Sequence, residues 1–492
     1  MKLISVFAAA ACMCICTAVH AADMKTGDTL YFDFGSTYED GWIQVPAETK
    51  YNKDKGYGFS MMSFNENTSA PGGGVLSDAV RINKYGPDVV SFNIDLPDGM
   101  YVLSVYSGNI RYMTIGLEGH PAIINIESSC TEARVEVPVS DGQLNMTFLQ
   151  GNSGTDIEIA ALSITRTGEL SDRKKRVFVC GDSTAATFYP LLMYQPLEEG
   201  YRGGWGQMMQ NFLPDDLYVH NMSSSGQTAK GFIESGQLDS VLYFMQPGDY
   251  AVIAYGINDF KEYSSEEFKE YLSVITEKIQ ESGGIPVIAT SVGQLDELSP
   301  GGGYSPADNR FLNEAKETAE KYGVQFIDLH GAAAEYFQLI GYDAAKSLYW
   351  TQWNGEKDIV HPNRNGAGQL ARLFVEQCIE QGITDFEGVL ADRGISETPL
   401  INCRTEKNTL YLENTAPYEV SLYLITNNYR AKRLSKSDVQ KIVLPAYDVV
   451  EPAEPITVET LLYDSCNRIY LTGCGMSIPL YFEQPEDDLV TI

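Results

Sequence analysis

Between residues 177 and 329, short apolar runs alternate with helical patterns, and this alternation constrains the chain more than any other feature. The runs are Val177-Phe178-Val179-Cys180, Leu217-Tyr218-Val219, Tyr250 to Tyr255, Ile285 to Val292 and Val324 to Leu329. Each is apolar at successive positions rather than every second one, so such a strand must be buried on both faces. Between the third and fourth runs, Ser264 and Glu267 form a capping box, and Phe268, Tyr271, Leu272, Ile275 and Ile279 mark one helical face. Gly283-Gly284 ends that helix. Further helices are predicted over about Asp308 to Lys321 and Gly366 to Gln381. Strands of this kind, separated by helices, give a parallel sheet covered on both faces: a three-layer α/β/α domain.

The flanks read differently. Leu30, Phe32 and Phe34 recur at every second position, as do Val90, Phe92, Ile94 and Leu96, which is the period of a half-buried strand. Pro97-Asp98-Gly99 then turns the chain into Tyr101, Leu103 and Val105, and a hairpin is expected there. With Ala133 to Val139, Gln143 to Phe148 and Ile157 to Ile164, these strands predict a β-sandwich. Strand character returns late in the chain, at Thr409 to Leu412, Val420 to Thr426, Lys441 to Leu444 and Ile469 to Thr472. A second, smaller β-sandwich is expected there. The first residues form an address: Met1-Lys2-Leu3, an apolar run from Ile4 to Val19, and the small-residue site Val19-His20-Ala21-Ala22. That run falls short of the roughly 20 residues that span a bilayer. The expected organisation of the 492 residues is therefore a signal peptide over 1–22, a β-sandwich over 23–170, the α/β domain over 173–384 and a β-rich domain over 385–492. Export to the periplasm or beyond follows from the leader.

Charge removes several classes of function. Asp and Glu number 66 against 35 Lys and Arg, a net charge of −31, whereas phosphate binding needs clustered positive charge. Nucleic acid is excluded as a partner on this ground, and anionic membrane surfaces are disfavoured. Of nine cysteines, Cys12, Cys14 and Cys16 leave with the leader, and the other six form no C-x-x-C pair, so metal ligation is not expected. Cys180 and Cys378 read as buried thiols, and pairing of Cys466 with Cys474 is left open. There is no Gly-x-Ser-x-Gly, His-Glu-x-x-His, Gly-x-x-x-x-Gly-Lys or Gly-x-Gly-x-x-Gly motif.

Ligands of open parallel sheets bind at the carboxyl ends of the strands. After the first run comes Gly181-Asp182-Ser183-Thr184, after the second Asn221 to Gly226, and after the third Gly256-Ile257-Asn258-Asp259. Asp358-Ile359-Val360-His361-Pro362 lies in the loop expected ahead of the last helix. All four blocks converge on one edge of the sheet, and together they suit acyl transfer. Ser183 is the candidate nucleophile, His361 its base, and Asp358 the carboxylate that fixes the imidazole tautomer. The backbone N–H groups of Ser183 and Gly226 and the side-chain amide of Asn258 are candidates for an oxyanion hole. Asp182 and Asp259 are expected to hold their loops. Of the five histidines, His330 is the one competitor as base, but its neighbour Asp328 is expected on the fifth strand itself.

This order of blocks resembles the SGNH (GDSL-type) hydrolase superfamily over about residues 176–382. Asn221 to Gly226 with Gln227-Thr228, together with Gly204-Trp205-Gly206-Gln207, is similar to its rhamnogalacturonan acetylesterase branch. Phe32-Asp33-Phe34-Gly35 and Asp95-Leu96-Pro97-Asp98-Gly99 resemble the galactose-binding-like module found ahead of such esterases. The resemblance implies a secreted bacterial carbohydrate O-acetylesterase that deacetylates a pectic polysaccharide. One departure bears on substrate: that branch often carries a basic residue after the block glycine, and this chain has Gln227. Three alternatives stay open: an acetylxylan esterase, an esterase for lipid, thioester or aryl substrates, and a glycan-binding protein with a non-catalytic centre. No cofactor or catalytic metal is expected; a structural calcium in the first domain and the oligomeric state are left open.

Overall fold

A computed structural model describes residues 23–61, 65–82, 90–151, 157–189, 202–301, 303–305, 310–352 and 355–387. Beyond these it describes 401–406, 409–414, 420–430, 433–445, 456–459, 467–473 and 476–482. The leader, Cys466 and Cys474 lie outside the described residues. The chain separates into two compact units: the first takes the described residues up to Lys175 together with 188–189 and Phe232–Met245, and the second takes the rest.

The first unit is β-rich. Seven strands, Thr29–Phe34, Ile43–Val45, Glu66–Ser69, Asp78–Arg81, Gly99–Ser107, Glu132–Val139 and Glu158–Gly168, form one sheet. Tyr57–Phe59, Ser91–Asp95, Met113–Leu117, His120–Ile126 and Gln143–Gln150 form another. Phe32 and Phe34 leave the first sheet to meet Phe92 of the second, at ring-centre distances of 5.7 and 5.0 Å. Edge-on contacts of this kind add to the apolar area that the facing sheets bury. The Pro97-Asp98-Gly99 turn is not the hairpin its sequence predicts. Ser91–Asp95 pairs in the five-stranded sheet and Gly99–Ser107 in the seven-stranded one, so the turn carries the chain between sheets. The Tyr101 hydroxyl donates to Pro97 O at 2.7 Å and fixes this corner. Alternation reports which face is buried, and a hairpin and a crossing corner share that pattern.

The second unit holds the parallel sheet. Its strands are β1 (Lys175–Gly181), β2 (Leu217–Asn221), β3 (Tyr250–Ala254), β4 (Ile285–Ala289) and β5 (Gln325–Ile327). Their order is β2-β1-β3-β4-β5. Every apolar run of the sequence is one of these strands, and all five residues of β3 are buried. Helix Ser265–Glu281 starts at the expected capping box, with Ser264 N donating to Glu267 Oε2 at 2.9 Å. Helices Leu312–Tyr322, Leu329–Ile340 and Arg364–Glu380 complete the cover. Asp328 does not lie on the fifth strand: it caps helix Leu329–Ile340, accepting from Gly331 N at 2.9 Å. Cys180 and Cys378 are buried, and burial raises both thiols.

Towards the C-terminus, Ile401–Glu406, Thr409–Asn414 and Ile456–Glu459 form one antiparallel sheet. Val420–Arg430, Arg433–Leu444, Asn467–Gly473 and Met476–Phe482 form a second. Among the described residues, no helix is long and apolar enough to cross a membrane.

Candidate active site

A sheet ordered β2-β1-β3-β4-β5 has its topological switch point between β1 and β3, where the connections leave on opposite faces and open a crevice. Ser183 follows β1 and Asn258 follows β3 at this point. Asp182 Oδ1 accepts both the N–H and the hydroxyl of Thr184 at 2.8 Å, making a tight turn that presents Ser183 at the strand end. Gly204 lets a neighbouring segment come close under this turn, since a Cβ there would stand 2.1 Å from Ala186 O.

Asp358 and His361 were expected in a loop. They lie instead on strand Lys357–Pro362, paired antiparallel with Tyr349–Thr351. The pair is too short and too polar to show a strand period in sequence. It brings His361 Nε2 to 2.9 Å from Ser183 Oγ, while Asp358 Oδ2 lies 3.0 Å from His361 Nδ1. The other Asp358 oxygen accepts Val360 N at 2.7 Å and His361 N at 2.9 Å. Burial alone would raise the Asp358 carboxyl, but the His361 ring and these two backbone N–H groups outweigh it and hold the carboxyl down at about 2.

Gly226 has φ +74° with open space where a Cβ would stand, so its loop needs glycine for backbone conformation rather than for room. Asn258 Nδ2 donates to Gln227 O at 3.1 Å, which orients the amide and leaves its second N–H for another acceptor. Asp259 joins the two loops: Oδ1 accepts Ala229 N at 2.8 Å and Oδ2 accepts Gly256 N at 3.1 Å. Burial, and secondarily the nearby Asp182, push its carboxyl up to about 7. Asp182 is raised as well, first by burial.

His330, the competing base, is buried with Nε2 3.1 Å from Glu297 Oε2, and the Tyr304 hydroxyl also donates to that carboxylate. Trp205 has a packing role that its place in the Gly204-Trp205-Gly206-Gln207 block does not announce. Buried and stacked on Phe374 at 5.0 Å, it anchors helix Arg364–Glu380, which begins three residues after His361.

Among the described residues no three His, Cys, Asp or Glu side chains come together as a metal site. In the first unit, Asp33 and Asp78 are buried and each keeps one carboxylate oxygen without a hydrogen-bond partner. Those two oxygens fit only part of a calcium shell of six to eight.

Residues 30–165 match the family of beta-agarase/YXIM esterase-like, galactose-binding domain-like modules, and residues 179–368 match the GDSL-like lipase/acylhydrolase family. The chain is 35% identical over 375 residues to the uncharacterized esterase YxiM of Bacillus subtilis (strain 168), across 75% of this chain and 94% of the relative. The crystal structure of YxiM from Bacillus subtilis superposes with a TM-score of 0.67 at 34% identity, covering 73% of this chain and 100% of that one. Rhamnogalacturonan acetylesterase RhgT, from the same strain, is 28% identical over 221 residues, across 42% of this chain and 91% of the relative.

Proposed function

Because the chain belongs to the GDSL-like lipase/acylhydrolase family and carries a galactose-binding-like domain ahead of its hydrolase domain, we propose that it is an exported carbohydrate O-acetylesterase whose substrate is a pectic rhamnogalacturonan. It is a carboxylic ester hydrolase; the finer reading concerns substrate, mechanism and place of action. One observation carries it: the hydrogen-bonded line Ser183–His361–Asp358 stands at the switch point beside Gly226 and Asn258.

In this mechanism Ser183 Oγ attacks the acetyl carbonyl while His361 Nε2 takes its proton. The charge that develops on the carbonyl oxygen meets the N–H groups of Ser183 and Gly226 and the second amide N–H of Asn258. Collapse breaks the ester bond, and His361 returns the proton to the departing sugar hydroxyl. A water molecule, deprotonated by His361, then attacks the acetyl-Ser183 ester and releases acetate. Asp358 stays ionised throughout and stabilises the imidazolium. These steps use side chains and backbone alone. The leader supports export, the rhamnogalacturonan acetylesterase relatives support the pectic substrate, and the two C-terminal sheets are read as a second sandwich.

A second substrate, acetylated xylan, is favoured by one residue: Gln227 supplies no charge beside Gly226. Acetate release from acetylated rhamnogalacturonan and acetylated xylan, with Ser183→Ala alongside, separates the two. Release from the pectic polymer, lost in the variant, is the expected result. Release from xylan alone removes the pectic assignment and keeps the mechanism. Release from neither removes both.

A further inference from the structure

Resting on the reading of His361 as general base, we propose that Glu297 and Tyr349 are positioning residues for it: a buried carboxylate, one backbone peptide and one phenol form a hydrogen-bonded tie that holds the His361 strand within reach of Ser183. His361 lies on a sheet of two strands only, Lys357–Pro362 paired with Tyr349–Thr351. A pair this small is marginal in water by itself, so other contacts must fix where it sits. Its register sets Tyr349 opposite Pro362, the residue after His361. Asn363 N donates to Leu348 O at 2.9 Å and closes the same end of the pair. Whatever holds Tyr349 therefore holds the His361 end of the strand.

Tyr349 is 3% exposed, and its ring lies 5.9 Å from that of Phe337 in helix Leu329–Ile340. A phenol buried this deeply needs a hydrogen-bond partner. The Tyr349 hydroxyl finds one in Gly293 O at 3.0 Å, in the loop after β4. Burial raises the phenol well above its ordinary range, so it stays a donor at every working pH. The peptide that accepts it is held from its other side, where Gln294 N donates to Glu297 Oε2 at 2.8 Å. The C=O and N–H of a trans peptide point in opposite directions, so this one peptide carries the tie from carboxylate to phenol.

Glu297 is the fixed end of the line. Its carboxylate is buried, and Oε2 also takes the Tyr304 hydroxyl at 3.0 Å and stands 3.1 Å from His330 Nε2. Arg310, equally buried, brings Nη2 to 3.5 Å from Oε1 and supplies a cation. The peptide has little slack: a Cβ on Gly293 would stand 3.1 Å from the Tyr304 hydroxyl and 3.2 Å from Glu297 Oε2. A carboxylate strengthens the N–H bond it accepts, and polarisation along the chain makes the carbonyl at the far end a better acceptor. His330, the other histidine of the hydrolase edge, thereby belongs to the group that fixes the strand of His361. Pro362 O is met separately by Gly203 N at 3.2 Å, so cutting the tie loosens the strand end without freeing it.

The test is steady-state kinetics of the full-length mature protein on a soluble acetyl ester, for the wild type, Tyr349→Phe, Glu297→Gln and the double variant. Tyr349→Phe keeps the ring and removes only the hydroxyl. It should lower kcat about tenfold with KM held within about twofold, because His361 drifts from Ser183 while the contacts that bind substrate stay. Glu297→Gln should act in the same way, and the double variant should be no slower than the slower single one, since both substitutions cut one line. A wild-type kcat in Tyr349→Phe, a loss that falls on KM alone, or losses that multiply in the double variant overturns the tie and leaves the acetylesterase reading intact. Should Glu297→Gln fail to fold, the kcat and KM of Tyr349→Phe decide by themselves. Turnover that persists in Ser183→Ala, run alongside, removes the mechanism and the tie with it.

Discussion

The carboxylate of Asp259 accepts the backbone N–H of Ala229 at 2.8 Å, and through this bond the loop of Gly226 is tied to the loop of Asn258. The same carboxylate holds Gly256 N, so one buried side chain sets the spacing between two of the three proposed oxyanion donors. Oxyanion stabilisation depends on donors fixed before charge develops. Asp259→Ala should therefore lower kcat by about tenfold to a thousandfold, with a smaller change in KM. Steady-state kinetics on a soluble acetyl ester would show it, and an unchanged kcat would mean that the loops hold their spacing without the tie.

Asp259 also couples the fold to pH. Its folded carboxyl is raised to about 7, above the ordinary carboxylate range, because burial disfavours its charge. A raised folded value means that the stabilisation is complete at pH below the unfolded value near 4 and is lost as pH rises through about 7. Replacing Asp259 with Asn should flatten the fall in Tm between those limits. Parallel melting curves for the two proteins across pH 4 to 8 would contradict this.

Asp358 behaves in the opposite sense. Held at about 2, it is ionised wherever His361 is needed, and its small contribution to stability is lost only as pH falls from about 4 towards 2. Asp358→Asn should reduce kcat by about three to four orders of magnitude and leave Tm at neutral pH nearly unchanged, because the pair is partly exposed to water. A large drop in Tm with activity retained would make Asp358 a structural group.

Trp205 supports the site from beneath. Trp205→Ala should cost about 3–5 kcal/mol in denaturant unfolding of the hydrolase domain, since it empties a fully buried aromatic position against Phe374. A loss under about 1 kcal/mol would show that the helix after His361 is anchored elsewhere.

Much of this site could be read from the chain because its parts sit at strand ends. Ser183, Gly226 and Asn258 each follow an apolar run that is recognisable by itself, and the capping box at Ser264 and Glu267 is equally local. What escaped was non-local. The Pro97-Asp98-Gly99 turn has the composition of a hairpin, and only its distant partners make it a corner between sheets. Strand Lys357–Pro362 owes its form to pairing with Tyr349–Thr351, and no residue within it announces that. Asp259 was legible as a loop-holding carboxylate, whereas the identity of Ala229 as its partner was not.

The most direct measurement is rapid acid quench of the protein during turnover of an acetyl ester, followed by peptide mass mapping. An acetyl group on Ser183, absent from Ser183→Ala together with turnover, is the predicted result. Turnover that persists in Ser183→Ala, or an acetyl group mapped to a different residue, would contradict the acyl-enzyme mechanism.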